Sequence, residues 1–159
     1  MASHQLEALS WLVPRRAGLL ADATGSGKTA VAAALIAHAF DLEGARRALW
    51  VTEANLIPQA VRELRRFLPT LQINRWPGRS GDQIRVVSVE TLTRHVDLVL
   101  KFDADVGVLD DAAIKGEGPE PAAVARVMGA TCRRLCLNAT PVELDATEPG
   151  STASASERI

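Results

Sequence analysis

An α/β fold, a mainly parallel sheet with helices on both faces, is predicted by three features of this 159-residue sequence. Six short apolar runs alternate with segments of helical pattern. The runs are nearly continuous in apolar and β-branched residues rather than alternating, which marks strands buried on both faces. A glycine-rich turn stands between the first run and a helix, at the strand end where such sheets hold ligands. A composition of 47% apolar and 23% charged residues is that of an ordinary globular chain, and the length suits one domain with a proper core.

In chain order, the pattern Gln-Leu-Glu-Ala-Leu-Ser-Trp-Leu predicts a first helix over 5–12. The apolar segment 17–21 predicts the first strand, and the Ala-rich stretch 28–40 a helix leaving the glycine-rich turn. A strand follows at 48–52, a helix opening on Pro58 runs to 67, and strands come at 72–75 and 85–89. A short helix is expected within 91–100, a strand ending in two acids at 106–110, a helix at 121–128 and a last strand at 133–138. Parallel strands joined this way need right-handed crossovers. Residues 116–121 read as a loop, and no internal repeat is visible. The domain is expected to occupy 1–144, with 145–159 a disordered tail too polar to bury enough surface to fold.

Net charge is −1, so no global basic field announces nucleic-acid binding, and any such binding must use a local patch. Cys132 and Cys136, the two cysteines, match no zinc spacing and read as buried thiols rather than a disulfide. Without a signal peptide or an apolar run near the ~18 residues of a membrane span, a cytoplasmic location is expected.

The run Asp22-Ala23-Thr24-Gly25-Ser26-Gly27-Lys28-Thr29 carries the clearest chemistry. Glycines let backbone N–H groups turn toward a polyphosphate, and the helix N-terminus adds partial positive charge. Lys28 would reach the β- and γ-phosphates, and the Thr29 hydroxyl would sit on Mg²⁺. The strict pattern GxxxxGK[ST] is broken by Asp22, which stands at the first glycine's position. A metal-holding carboxylate is expected at another strand end, and Asp105-Val106-Gly107-Val108-Leu109-Asp110-Asp111 offers one. Asp110 would bind the metal and Asp111 would orient or deprotonate the attacking water. Paired acids after a strand also occur in ordinary surface loops. The Lys28 loop is what turns them into a site.

Six segments then resemble, in order, the first RecA-like lobe of a superfamily 2 helicase, closest to the Swi/Snf-type DNA translocases. The Asp22–Thr29 run is similar to that family's nucleotide loop DEMGLGKT, which carries Asp at the same place. Leu109-Asp110-Asp111-Ala112-Ala113-Ile114-Lys115 resembles its DEAH box. The helix from His4 to Leu12 resembles the opening helix, where Gln5 would read the adenine edge. Residues 49–59 resemble motif Ia and 86–92 motif Ib, which implies Asn55 and Thr91 near a DNA backbone. Leu137-Asn138-Ala139-Thr140-Pro141 resembles motif III, usually LTGTP.

The resemblance implies ATP and Mg²⁺ as cofactors, with Gln5, Gly25, Ser26, Gly27, Lys28 and Thr29 on the nucleotide, and duplex DNA as a partner. It also implies a second RecA-like lobe, whose arginines stabilise transition-state charge; an arginine finger is worth roughly 10³–10⁵ in rate. Nothing after Pro141 could encode that lobe, so the chain reads as half a motor, with the other lobe supplied in trans or missing. Departures fall on turnover rather than binding. Asp111 stands for Glu, Ala113 for His, Asn138 and Ala139 for Thr and Gly, and Glu53 for a Pro. The alternative reading is a non-catalytic nucleotide-binding interaction module derived from such a helicase. A kinase or GTPase is disfavoured, since no Asn-Lys-x-Asp run occurs.

The bland readings are specific too. Trp11 and Trp50 are expected in the core and Trp76 at a loop. Arg62, Arg65 and Arg66 are read as a solvated helix face, and His38 and His95 as structural or exposed.

Overall fold

The computed structural model describes residues 1–22, 25–110 and 119–138. Six strands form one sheet in the order β1-β6-β5-β2-β4-β3, and every neighbouring pair is parallel. They are β1 (Ala17–Ala21), β2 (Ala48–Thr52), β3 (Ile73–Arg75), β4 (Ile84–Ser88), β5 (Val106–Asp110) and β6 (Arg133–Asn138). The helices are α1 (Ser3–Leu12), α2 (Lys28–Leu42), α3 (Ile57–Phe67), α4 (Val89–Arg94), α5 (Val96–Leu100) and α6 (Pro119–Gly129), with a 3-10 turn at Ala54–Leu56. Among the described residues, no helix is long and apolar enough to cross a membrane.

Alternate side chains of the central strands feed two apolar layers, as the period of a strand requires. On one face Ala48, Trp50, Val106 and Val108 pack with Leu35 and Ile36 of α2, Leu64 of α3 and Leu12 of α1. On the other, Leu49, Val51 and Val87 meet Leu92, Val99, Val124 and Met128 from α4, α5 and α6. All five residues of β2 are buried, which accounts for its continuous apolar run.

Most element boundaries fall within two residues of expectation; α6 starts at Pro119, so the stretch 116–121 expected as a loop is helical from that proline on, where Pro119 suits a first helical turn. β4 ends at Ser88 because its hydroxyl accepts the Thr91 N–H at 3.1 Å, turning Val89 into the first residue of α4. The expected helix within 91–100 is two, broken at His95 (φ −130°). Cys132 is exposed and Cys136 half-buried, and neither forms a disulfide, so the expectation of two buried thiols fails for Cys132, which precedes β6. Arg65 is not simply solvated: its guanidinium donates to the Ile73 carbonyl at 2.7 Å and pins α3 to β3.

Arg133, only 4% exposed, fastens the sheet to two helices. It donates to Leu12 O at 3.2 Å, to Val13 O at 3.1 Å and to Arg15 O, carbonyls at and just past the end of α1, where intrahelical bonding stops. It also pairs with the Glu43 carboxylate at the end of α2. This clamp holds α1 beside α2, which brings Gln5 to the glycine-rich turn.

Candidate functional site

The turn leaves the C-terminal end of β1 and enters α2. Gly25 and Gly27 have φ +84° and +87°, a region that costs an L side chain roughly 1–2 kcal/mol. Gly27 caps α2, and its carbonyl accepts from Ala30 N at 3.0 Å and Val31 N at 3.3 Å. A Cβ on Gly27 would stand 2.1 Å from Gln5 Nε2, so any side chain here would displace the Gln5 amide from the turn.

Lys28, the first residue of α2, is 8% exposed, and its ammonium donates to the Asp22 carbonyl at 2.8 Å. A lysine so buried is held folded back across its own loop. Gln5 donates to Ser26 O at 3.1 Å and accepts from Ala2 N at 2.9 Å; His4 Nε2 lies 3.2 Å from the same Ser26 carbonyl. The structure thus places Gln5 against the turn itself. The buried Ser26 hydroxyl has no hydrogen-bond partner among the described residues.

Asp110 ends β5, separated from β1 only by β6. It lines one open cleft of about 510 Å³ with Gly25, Gly27, Lys28 and Thr29, closed on the far side by α3 residues including Glu63 and Arg66. A second cleft of about 510 Å³ lies on the α1 side of Lys28, between Gln5, Ala8, Leu20 and Val31. Asp110 Oδ2 accepts the indole N–H of Trp50 at 3.1 Å.

The donor set fits a Mg-nucleotide. Two positive-φ glycines and an unpartnered buried hydroxyl make a cradle, the lysine supplies a cation, and Thr29 and Asp110 offer the oxygens that Mg²⁺ prefers. Among the described residues no cluster of three or more His, Cys, Asp or Glu could hold a metal alone. Mg²⁺ bound through one or two protein oxygens plus phosphates and water needs none.

Asn55 is exposed on the 3-10 turn after β2, and Thr91 is half-buried on α4 after β4. β2 and β4 are neighbours, so both residues face the same sheet edge as the turn. Thr91 N–H and hydroxyl are already engaged by Ser88. Asp111, Ala113, Ala139, Thr140 and the expected tail lie outside the described residues. Two features of the cleft escaped the sequence reading. Glu63 and Arg66 border it from the solvent-facing side of α3, and Trp50 is both core and partner of Asp110. The sole signal for the latter was a tryptophan on the strand next to the acidic one.

A family model described as "Type III restriction enzyme, res subunit" matches residues 1–141. The DNA excision repair protein ERCC-6-like of Mus musculus is 26% identical over 164 residues, 88% of this chain and 13% of that protein. The ATP-dependent helicase YqhH of Bacillus subtilis (strain 168) is 33% identical over 116 residues, 69% of this chain and 21% of YqhH. Among solved structures, the Sulfolobus solfataricus SWI2/SNF2 ATPase core in complex with dsDNA superposes with TM-score 0.79 at 22% identity, covering 90% of this chain and 32% of that one. The same organism's core domain gives 0.76 at 21% identity. The fold is therefore that of a RecA-like lobe of a Swi2/Snf2 ATPase core. The chain spans about a third of those structures and a smaller part of the curated relatives.

Proposed function

The chain belongs to the type III restriction enzyme res subunit family, and from that premise we propose that it is the first lobe of an ATP-dependent DNA translocase or helicase. It binds Mg-ATP and duplex DNA, and it needs a second RecA-like lobe for efficient hydrolysis. The observation that carries this reading is one cleft shared by Gly25, Gly27, Lys28, Thr29 and Asp110.

In this reading the N–H groups of Gly25–Thr29 hold the phosphates, and Lys28 exchanges its bond to the Asp22 carbonyl for the β- and γ-phosphate oxygens. Thr29 and Asp110 hold Mg²⁺, which neutralises charge on the phosphates. Asp111 positions or deprotonates the attacking water. With a side chain one methylene shorter than Glu, it reaches that water poorly, and the isolated lobe turns over slowly. Gln5 meets the adenine by leaving the Ser26 carbonyl, opening the apolar cleft between Ala8, Leu20 and Val31. Asn55 and Thr91 contact the DNA backbone. The substituted residues 111, 113, 138 and 139 favour one competing reading, a nucleotide-binding module that does no chemistry.

Calorimetric titration with ATP, with and without Mg²⁺, tests binding. Phosphate release with and without duplex DNA and a second-lobe polypeptide tests turnover. Binding with slow turnover, accelerated by the added lobe, is expected. Rapid hydrolysis by the lone chain without DNA would overturn the need for a second lobe. Continued inactivity of Asp111→Glu with every lobe tried would favour the module.

A further inference from the structure

β2 and β5 pair so that Trp50 lies opposite Val108. Two residues further along β5, on the same face, stands Asp110. The diagonal between such positions is roughly 7–8 Å, within reach of a large aromatic ring. Trp50 covers it: the residue is wholly buried at 0% exposure, and its indole nitrogen reaches Asp110 Oδ2 at 3.1 Å. A buried indole N–H needs an acceptor, and here it takes the one carboxylate that ends β5 in the Lys28 cleft.

We propose that Trp50 is the positioning residue for the Asp110 carboxylate, holding it in the orientation that receives Mg²⁺. The inference rests on Asp110 being the metal-holding acid. A charge-assisted bond from a ring packed on all sides is stiffer than one from a solvated side chain. Trp50 belongs to the apolar cluster that includes Leu35, Ile36, Leu64, Val86 and Val108, whose side chains carry no hydrogen-bond donor. The indole also couples the core to the site, since its environment changes with the charge on Asp110.

The test uses Trp50→Phe, which keeps an aromatic ring and removes the donor. Nucleotide affinity is measured first in EDTA, then Mg²⁺ is titrated into the ADP-saturated protein. Removing a partner that orients a metal-holding group costs about 10–100-fold in metal affinity. We expect metal-free ADP affinity to stay unchanged and Mg²⁺ affinity to fall at least about 10-fold. An unchanged Mg²⁺ affinity in Trp50→Phe, with loss in Asp110→Asn, overturns the role of Trp50 alone. Retention of Mg²⁺ dependence in Asp110→Asn overturns the metal reading beneath it.

A second measurement spares the core. In Trp11→Phe/Trp76→Phe, Trp50 is the one tryptophan left of three, and its emission should shift when Mg²⁺ joins bound ADP. Constant emission through a titration that calorimetry shows to be saturating overturns the proposal even if Trp50→Phe does not fold.

Discussion

Lys28 and Gly27 carry opposite burdens at the turn. Lys28 supplies a charge, and the buried ammonium can trade the Asp22 carbonyl for phosphate without leaving its place at the start of α2. Lys28→Ala should leave the fold intact and weaken ATP binding by two orders of magnitude or so, since charge-assisted phosphate contacts carry much of such binding; a fluorescent nucleotide titration checks it. Gly27 supplies space. Gly27→Ala meets both a positive φ of +87° and Gln5 Nε2 at 2.1 Å, so it should cost about 1–2 kcal/mol from the backbone alone and displace the Gln5 amide from the turn. Urea unfolding together with nucleotide binding should show both losses at once. These residues were legible in the sequence, because glycine, lysine and threonine at this spacing serve few other ends. The link between Trp50 and Asp110 was not: it depends on the register of two strands 60 residues apart in the chain.

Elements meet through a few polar fasteners laid over an apolar core. The Arg133 guanidinium joins the end of α1, the end of α2 and the start of β6. Arg133→Met would take a donor from the Val13 and Arg15 carbonyls, while Leu12 O keeps the Arg15 N–H at 2.9 Å, and among the described residues would leave the Glu43 carboxylate beside His38, 3.4 Å away. Because the Glu43 side chain is a quarter exposed, the loss comes mainly from carbonyls left without a donor, about 1–3 kcal/mol. The drop should appear in the urea midpoint, and nucleotide affinity should fall with it as Gln5 loses its seat. Nothing in the pattern of 133–138 separates this arginine from the exposed Arg134, since both belong to a strand of alternating burial. A smaller fastener is Ser88. Ser88→Ala should lower stability by about 1 kcal/mol, read as a lower thermal midpoint, and should loosen the first turn of α4, which carries Thr91.

At the scale of the molecule, six parallel strands gather the turn after β1 and the acid ending β5 at one edge of the sheet, one strand apart. That edge also carries Asn55 and Thr91, which gives nucleotide and nucleic acid a common border in the proposed function. A lobe that presents its nucleotide cleft open on one side should hydrolyse ATP slowly alone. A second lobe that supplies an arginine should raise the rate by about 10³-fold or more, measured as DNA-dependent phosphate release. The alternation of apolar runs and helices, and the order of the six motifs, were set by the sequence alone, because strand burial and loop chemistry are local properties. Sequence by itself determined the α/β class and β1, β2, β5 and β6 to the residue, and it singled out Lys28, Thr29 and Asp110, which line one cleft. Only the tertiary structure decided that Gln5 rests on the Ser26 carbonyl, that Arg133 locks α1 to α2, and that a core tryptophan grips Asp110. Each of those contacts joins residues more than 20 positions apart, and their meeting depends on strand order and helix docking, which no local pattern encodes.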